Sequence, residues 1–183
     1  MRGKSHYFLG QFLAERYMNN LPKRYIRAFL IGCIEPDRNP ATYLKGSLRS
    51  QWLRGHNWGN AQNFMYRISN RLENRRALRI WDYYTIGKLI HYTVDAFTSP
   101  HNEHFGTDLA EHKSYEAALQ HHFLGYLAEN PRVWTDARHP VMDTIRRYHH
   151  DYLNHPVSIQ TDSRFAIIVS CMIMIRLFIH MQT

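Results

Sequence analysis

Two histidine–carboxylate pairs, His91 with Asp95 and His112 with Glu116, are each four residues apart. On an α-helix that spacing puts both side chains on one face, within reach of a single ion. Ser99-Pro100 breaks the chain between the pairs and is followed by His101 and His104. Upstream, Asp37 falls in the Pro-rich segment 34–40 and His56 in the Gly-rich segment 54–59, both of which read as loops. Imidazole nitrogen and carboxylate oxygen are the donors zinc takes when thiolate is absent. The inventory of Asp37, His56, His91, Asp95, His101, His112 and Glu116 exceeds what one tetrahedral ion uses. Two or three ions sharing a bridging carboxylate would use it, and such a cluster suits phosphate ester hydrolysis. Taken alone, a pair at this spacing is more often a helix-stabilising surface pair. Here His91 and Asp95 lie among Ile90, Tyr92 and Val94, and a carboxylate in apolar surroundings is costly without a partner or a metal.

The elements that must position these residues read as helices. Apolar periodicity predicts a helix over 6–18 with Ser5 as N-cap, and a second following Pro22 and ending near Gly32. Further helices are expected over 60–73, 75–98, from Asp108 to about 129, 135–153 and 157–180. The last is apolar nearly all round and is expected to be central. No repeat and no strand alternation or hairpin signal is found. The expected fold is therefore all-α, a single domain over 1–183 built as a bundle of about seven helices.

Composition bounds the function classes. With 183 residues, 44% hydrophobic and 14% aromatic, the chain can build a core and is not of the disordered class. Two cysteines, Cys33 and Cys171, both in apolar surroundings, read as buried thiols and exclude a disulfide scaffold or a Cys-based zinc site. Thirteen histidines supply the metal chemistry instead. The net charge of +8 favours anionic partners: phosphate esters, nucleic acid or lipid headgroups. The apolar run 165–175 is too short to span a bilayer. No signal peptide is evident at the Met-Arg-Gly-Lys start, so a cytoplasmic location is expected.

The ordered set Gly87-Lys-Leu-Ile-His91-Tyr-Thr-Val-Asp95, Pro100-His101 and His112-Lys-Ser-Tyr-Glu116 resembles the bacterial zinc-dependent phospholipase C family. That family is all-helical, binds three zinc ions and includes a branch of single-strand nucleases. Upstream, His6, Asp37 and His56 follow the family's order, so the resemblance spans His6 to Glu116. It implies one zinc on Asp37, His56, His91 and Asp95, and a second on His101, His112 and Glu116. A third would sit on His6 and the other oxygen of Asp95, making Asp95 a bridge. The family's third ion is also held by the free amino terminus of a chain beginning with Trp. This sequence begins Met-Arg-Gly-Lys, so two ions are expected, with the third needing water or another ligand. His104 stands where the family commonly has Asn.

The implied function is a metal-dependent phosphodiester hydrolase in which a metal-bound water attacks a phosphoester, with Asp37 as ligand and general base. Its substrate would be a phospholipid or another phosphodiester. The alternatives are a zinc-dependent single-strand nuclease, for which nucleic acid is the partner, and a non-catalytic helical metal-binding protein. Arg54, Arg71, Arg75 and Arg76 are candidate phosphate contacts. The adjacent pairs His121-His122 and His149-His150 read as surface residues. The oligomeric state is not legible.

Overall fold

In a computed structural model, the described residues are 1, 3–39, 57–102, 109–129, 133 and 138–179. Among these residues seven α-helices follow in order: α1 Gly3–Tyr17, α2 Lys23–Arg38, α3 Trp58–Glu73, α4 Ile80–Ala96, α5 Leu109–Ala128, α6 Val141–Leu153 and α7 Ile159–Ile179. A 3-10 turn, Ser99–His101, links α4 towards α5. No strand occurs among the described residues. The architecture is the all-α bundle expected from the periodicity.

Two helices hold the bundle together. The apolar α7 packs against α1, α4, α5 and α6, burying Ala166, Ile167, Val169, Cys171, Ile173, Met174 and Leu177. Its central place follows from having no polar face to turn to water. The other is α4, which packs against α1, α2, α3 and α7. Every residue of α4 from Leu89 to Ala96 is buried, including His91 and Asp95. Two partner-ready side chains are thus carried into the core on an otherwise apolar segment.

The α2–α4 pairing corrects the sequence expectation for α2. Gly32, expected to end the helix, lies at mid-helix and is a packing residue. A Cβ on Gly32 would overlap the Tyr84 carbonyl oxygen, and one on Gly87 would overlap the Phe29 carbonyl oxygen. The two glycines let the backbones of α2 and α4 touch. The helix then continues through Pro36 to Arg38, so Asp37 stands in the last helical turn and not in a loop. Proline removes one backbone donor there, but Pro36 is buried and the Asn39 N–H donates to the Glu35 carbonyl at 2.9 Å. Lys88 on α4 pairs with Glu35 at 2.8 Å and fastens this last turn down. Tertiary contact overrides the breaker.

Other boundaries moved for local reasons. Ser5 is buried inside α1 and does not cap it. Asn57 caps α3, its side-chain oxygen accepting from the Asn60 N–H at 3.0 Å, so α3 takes in Trp58 and Gly59. The Arg-rich segment 75–79 precedes α4, whose first turn is closed by Asp82 accepting from the Arg79 N–H at 2.9 Å. α6 begins at Val141, immediately after Pro140. Asp108, the expected cap of α5, lies outside the described residues.

Candidate metal centre

Asp95 is the middle of the site. It is fully buried, one turn after His91 on α4. Its two oxygens face different partners. Oδ2 lies 3.2 Å from His91 Nε2. Oδ1 lies 3.2 Å from His6 Nε2 on α1, 3.7 Å from His101 Nε2 on the 3-10 turn and 2.8 Å from the Met1 amino group. The His6 and His91 rings stack with centroids 3.9 Å apart, so His6, His91 and Asp95 offer ligand atoms within 4.8 Å of one another.

Two more carboxylates border this trio. Asp37 Oδ1 is 3.6 Å from His91 Nε2, and a Cβ on Gly3 would stand 3.2 Å from Asp37 Oδ2, so α1 begins directly beside that carboxylate. Glu116, on α5, places Oε1 3.4 Å from His101 Nε2 and 3.1 Å from the Met1 amino group. That ammonium also donates to His101 Nε2 at 2.7 Å. The cluster is closed on the side of His6, His91 and Asp95. It is more open along Asp37, His101 and Glu116, whose side chains are 21%, 15% and 16% exposed.

The electrostatics favour cations. Burial opposes the charge on Asp95, but His101, the amino terminus, His91 and His6 together hold its carboxyl well below the usual carboxylate range. Burial likewise opposes ionisation of Glu116, and His101 and the amino terminus outweigh it, so Glu116 is held low. The Met1 amino group loses solvation on burial, yet Asp95 and Glu116 raise its pKa to about 10. Burial, with His91 beside it, pushes the His6 ring down to about 4, so it is neutral at pH 7.

The histidine orientations fit a metal. His91 Nδ1–H donates to the Cys33 carbonyl at 2.9 Å, which leaves the Nε2 lone pair turned towards Asp95 and Asp37. Neither nitrogen of the His6 ring makes a hydrogen bond, although both are buried. An unsatisfied buried polar group costs about 1–3 kcal/mol. A cation beside Asp95 would engage an imidazole Nε2 turned towards it and neutralise the carboxylate, and nitrogen with carboxylate oxygen is a zinc donor set.

The sequence-derived candidates are therefore brought together as far as they are described: His6, Asp37, His91, Asp95, His101 and Glu116 form one contiguous cluster. His112 has its backbone on α5, one turn before Glu116, while its side chain lies outside the described residues, as do His56, His104 and Arg54. Arg71 is used elsewhere. Its guanidinium donates to Thr85 Oγ1 at 2.9 Å, fastening α3 to the first half of α4. Arg75 lies 3.7 Å from Asp82, also at that far end.

A supporting network was not legible in the sequence. Asp162, in the first turn of α7 and fully buried, accepts four hydrogen bonds. Oδ2 accepts from the Ser99 N–H at 2.8 Å and Tyr115 OH at 3.0 Å. Oδ1 accepts from Ser99 Oγ at 2.9 Å and Tyr152 OH at 2.7 Å. Asp162 thus pins the turn that presents His101. Asn102 completes the turn by donating to the carbonyls of Ala96 and Thr98, both at 3.0 Å. This fixes its amide so that Oδ1 accepts from His149 Nε2–H at 2.8 Å. His149, expected at the surface, is buried and stacks on Trp58 with ring centroids 3.9 Å apart, and burial pushes it down to about 4. The available signal was Asp162 itself, a carboxylate at the start of an otherwise apolar helix.

A sequence-family model described as zinc dependent phospholipase C matches residues 5–169. Neither the curated proteins nor the solved structures yield a match.

Proposed function

Since the chain belongs to the zinc-dependent phospholipase C family, a family of hydrolases, we propose that it hydrolyses a phosphodiester of the phospholipid class at the Asp95 cluster. What supports this reading above all is the split use of Asp95, with Oδ1 towards His6 and Oδ2 towards His91, both at 3.2 Å. A carboxylate so disposed suits a bridge between two ions. In this reading Asp37, His56, His91 and Asp95 would hold one zinc, His101, His112 and Glu116 would hold another, and His6 with Asp95 would serve a third. Bound zinc supplies Lewis acidity for the phosphoryl oxygens and for activating water.

The residues of the chain do the rest. Cys33 holds His91 in the tautomer that keeps Nε2 available. Asp37, on the open side of the cluster and 21% exposed, is the carboxylate placed to take a proton from an attacking water. The buried flank formed by α1 and α4 keeps bulk water off Asp95, which strengthens its interactions with cations.

The test is metal content together with turnover. The purified chain is expected to carry at least two zinc ions and to release phosphorylated headgroup from phosphatidylcholine. Asp95→Asn keeps the shape but removes the charge and one of the two oxygen donors, and is expected to lose zinc and at least about 100-fold of activity together. Full zinc content in that variant would remove the bridging role. Cleavage of single-stranded DNA with no action on phosphatidylcholine would replace the phospholipase reading with the nuclease one.

A further inference from the structure

A second surface of the α2–α4 pair carries chemistry that the metal cluster does not use. Trp81, in the first turn of α4, is 73% exposed, with Ile80 beside it at 41% and Ile31 of α2 at 55%. Together with Arg24, Arg27 and Tyr84 they line a groove of about 560 Å³. Exposed large apolar side chains gathered in one groove mark an interaction site more often than scattered ones do. The edge of this groove is cationic. Arg24 and Arg27 are exposed, and among the described residues no carboxylate lies within ion-pair reach of either. Glu35, the one acid among the described residues lining the groove, is paired with Lys88 at 2.8 Å.

We propose that this groove docks the protein on an anionic phospholipid bilayer. Tryptophan is the side chain best suited to the boundary between headgroups and acyl chains, with its ring in the apolar layer and its N–H at the wet edge. Ile31 and Ile80 give aliphatic surface that enters the same layer, and the two arginines meet anionic headgroups. Nucleic acid fits less well: Trp81 and Tyr84 could stack bases, but Ile31 and Ile80 would then face sugar and phosphate with no apolar partner. A second copy fits less well too, because a two-fold contact would set Arg24 and Arg27 against their own equivalents. The groove lies at the start of α4, and His91 is ten residues further on, about 15 Å along the helix. Docking there would keep the chain on the lipid surface, with the metal cluster at the other end of the same helix. The inference rests on the phospholipase reading for its purpose, but docking is measured without turnover, so the two can fail separately.

The experiment is co-sedimentation of the full chain with vesicles of phosphatidylcholine, with and without phosphatidylglycerol. Binding is expected to need phosphatidylglycerol and to weaken with added salt. Trp81→Ala and the double variant Arg24→Glu/Arg27→Glu are each expected to weaken it about tenfold. All these side chains are exposed, so the variants should melt like the parent. Hydrolysis of a short-chain phosphatidylcholine dissolved as monomers should be unchanged in them. Three results would overturn the proposal: no sedimentation of the parent, variants that bind like it, or a dimer or oligonucleotide complex abolished by Trp81→Ala while vesicle binding persists. Normal docking with no hydrolysis of either substrate would leave this surface standing and remove the proposed activity instead.

Discussion

Asp95 and Asp162 are two buried carboxylates with opposite settings. Asp95 is surrounded by nitrogen atoms that can be neutral or cationic, and its oxygens stand 2.8–3.7 Å from the Met1 amino group and three imidazoles. Asp162 is surrounded by four fixed donors from Ser99, Tyr115 and Tyr152. The first environment suits exchangeable cations and the second suits rigidity. Asp162→Asn places an N–H where donors already point, so at least one donor is left without an acceptor. The expected cost is about 2–4 kcal/mol in urea unfolding, with zinc affinity lowered roughly tenfold through the loosened His101 turn. Tyr152→Phe removes only one donor and should cost about 1 kcal/mol with zinc affinity nearly kept. Equal zinc affinity in Asp162→Asn and the parent would show that the network holds the fold without positioning His101.

Among the elements, α4 decides the arrangement. It carries His91 and Asp95 in its last two turns, meets α2 through Gly32 and Gly87, and leads into the turn bearing His101. The close approach of α2 is what brings the Cys33 carbonyl to His91 and Asp37 alongside it. Gly32→Ala should therefore force the helices apart and cost about 3 kcal/mol. Gly125→Ala is the matched control, since a Cβ there meets nothing within 4 Å. It should stabilise by up to about 1 kcal/mol through helix propensity. Denaturant melts of both variants check this, and a Gly32→Ala protein as stable as the parent would mean that the two backbones separate freely.

For the molecule as a whole, the cluster draws on α1, α2, α4, the 3-10 turn and α5. A metal held there cross-links elements that are far apart in the chain, so metal binding becomes folding stability. Chelation is expected to lower the melting temperature on the order of 10 °C, from about 4 kcal/mol of binding linkage and about 2–4 °C per kcal/mol at this size. Re-addition of zinc should restore it. A scan unchanged by chelator, with metal removal verified, would show that the metal contributes no folding stability.

The helical class and the bundle were readable from periodicity, and the two His–carboxylate pairs from spacing, because α-helical geometry ties i and i+4 together without help from the rest of the chain; His6 entered only through the family's ordered motif. His91 with Asp95 needed nothing more. The setting of Asp37 was not readable, because Gly32 and Pro36 are breakers by local propensity. Only the packing of α2 on α4, the buried proline and the Lys88–Glu35 pair keep that helix intact. Asp162 and His149 were not readable either, since their partners lie 10–63 and 47 residues away. Sequence alone thus determined which residues carry metal-donor chemistry and that His91 and Asp95 share one helix face. Tertiary structure decided which of them share one carboxylate, because that depends on how α1 and the 3-10 turn pack against α4.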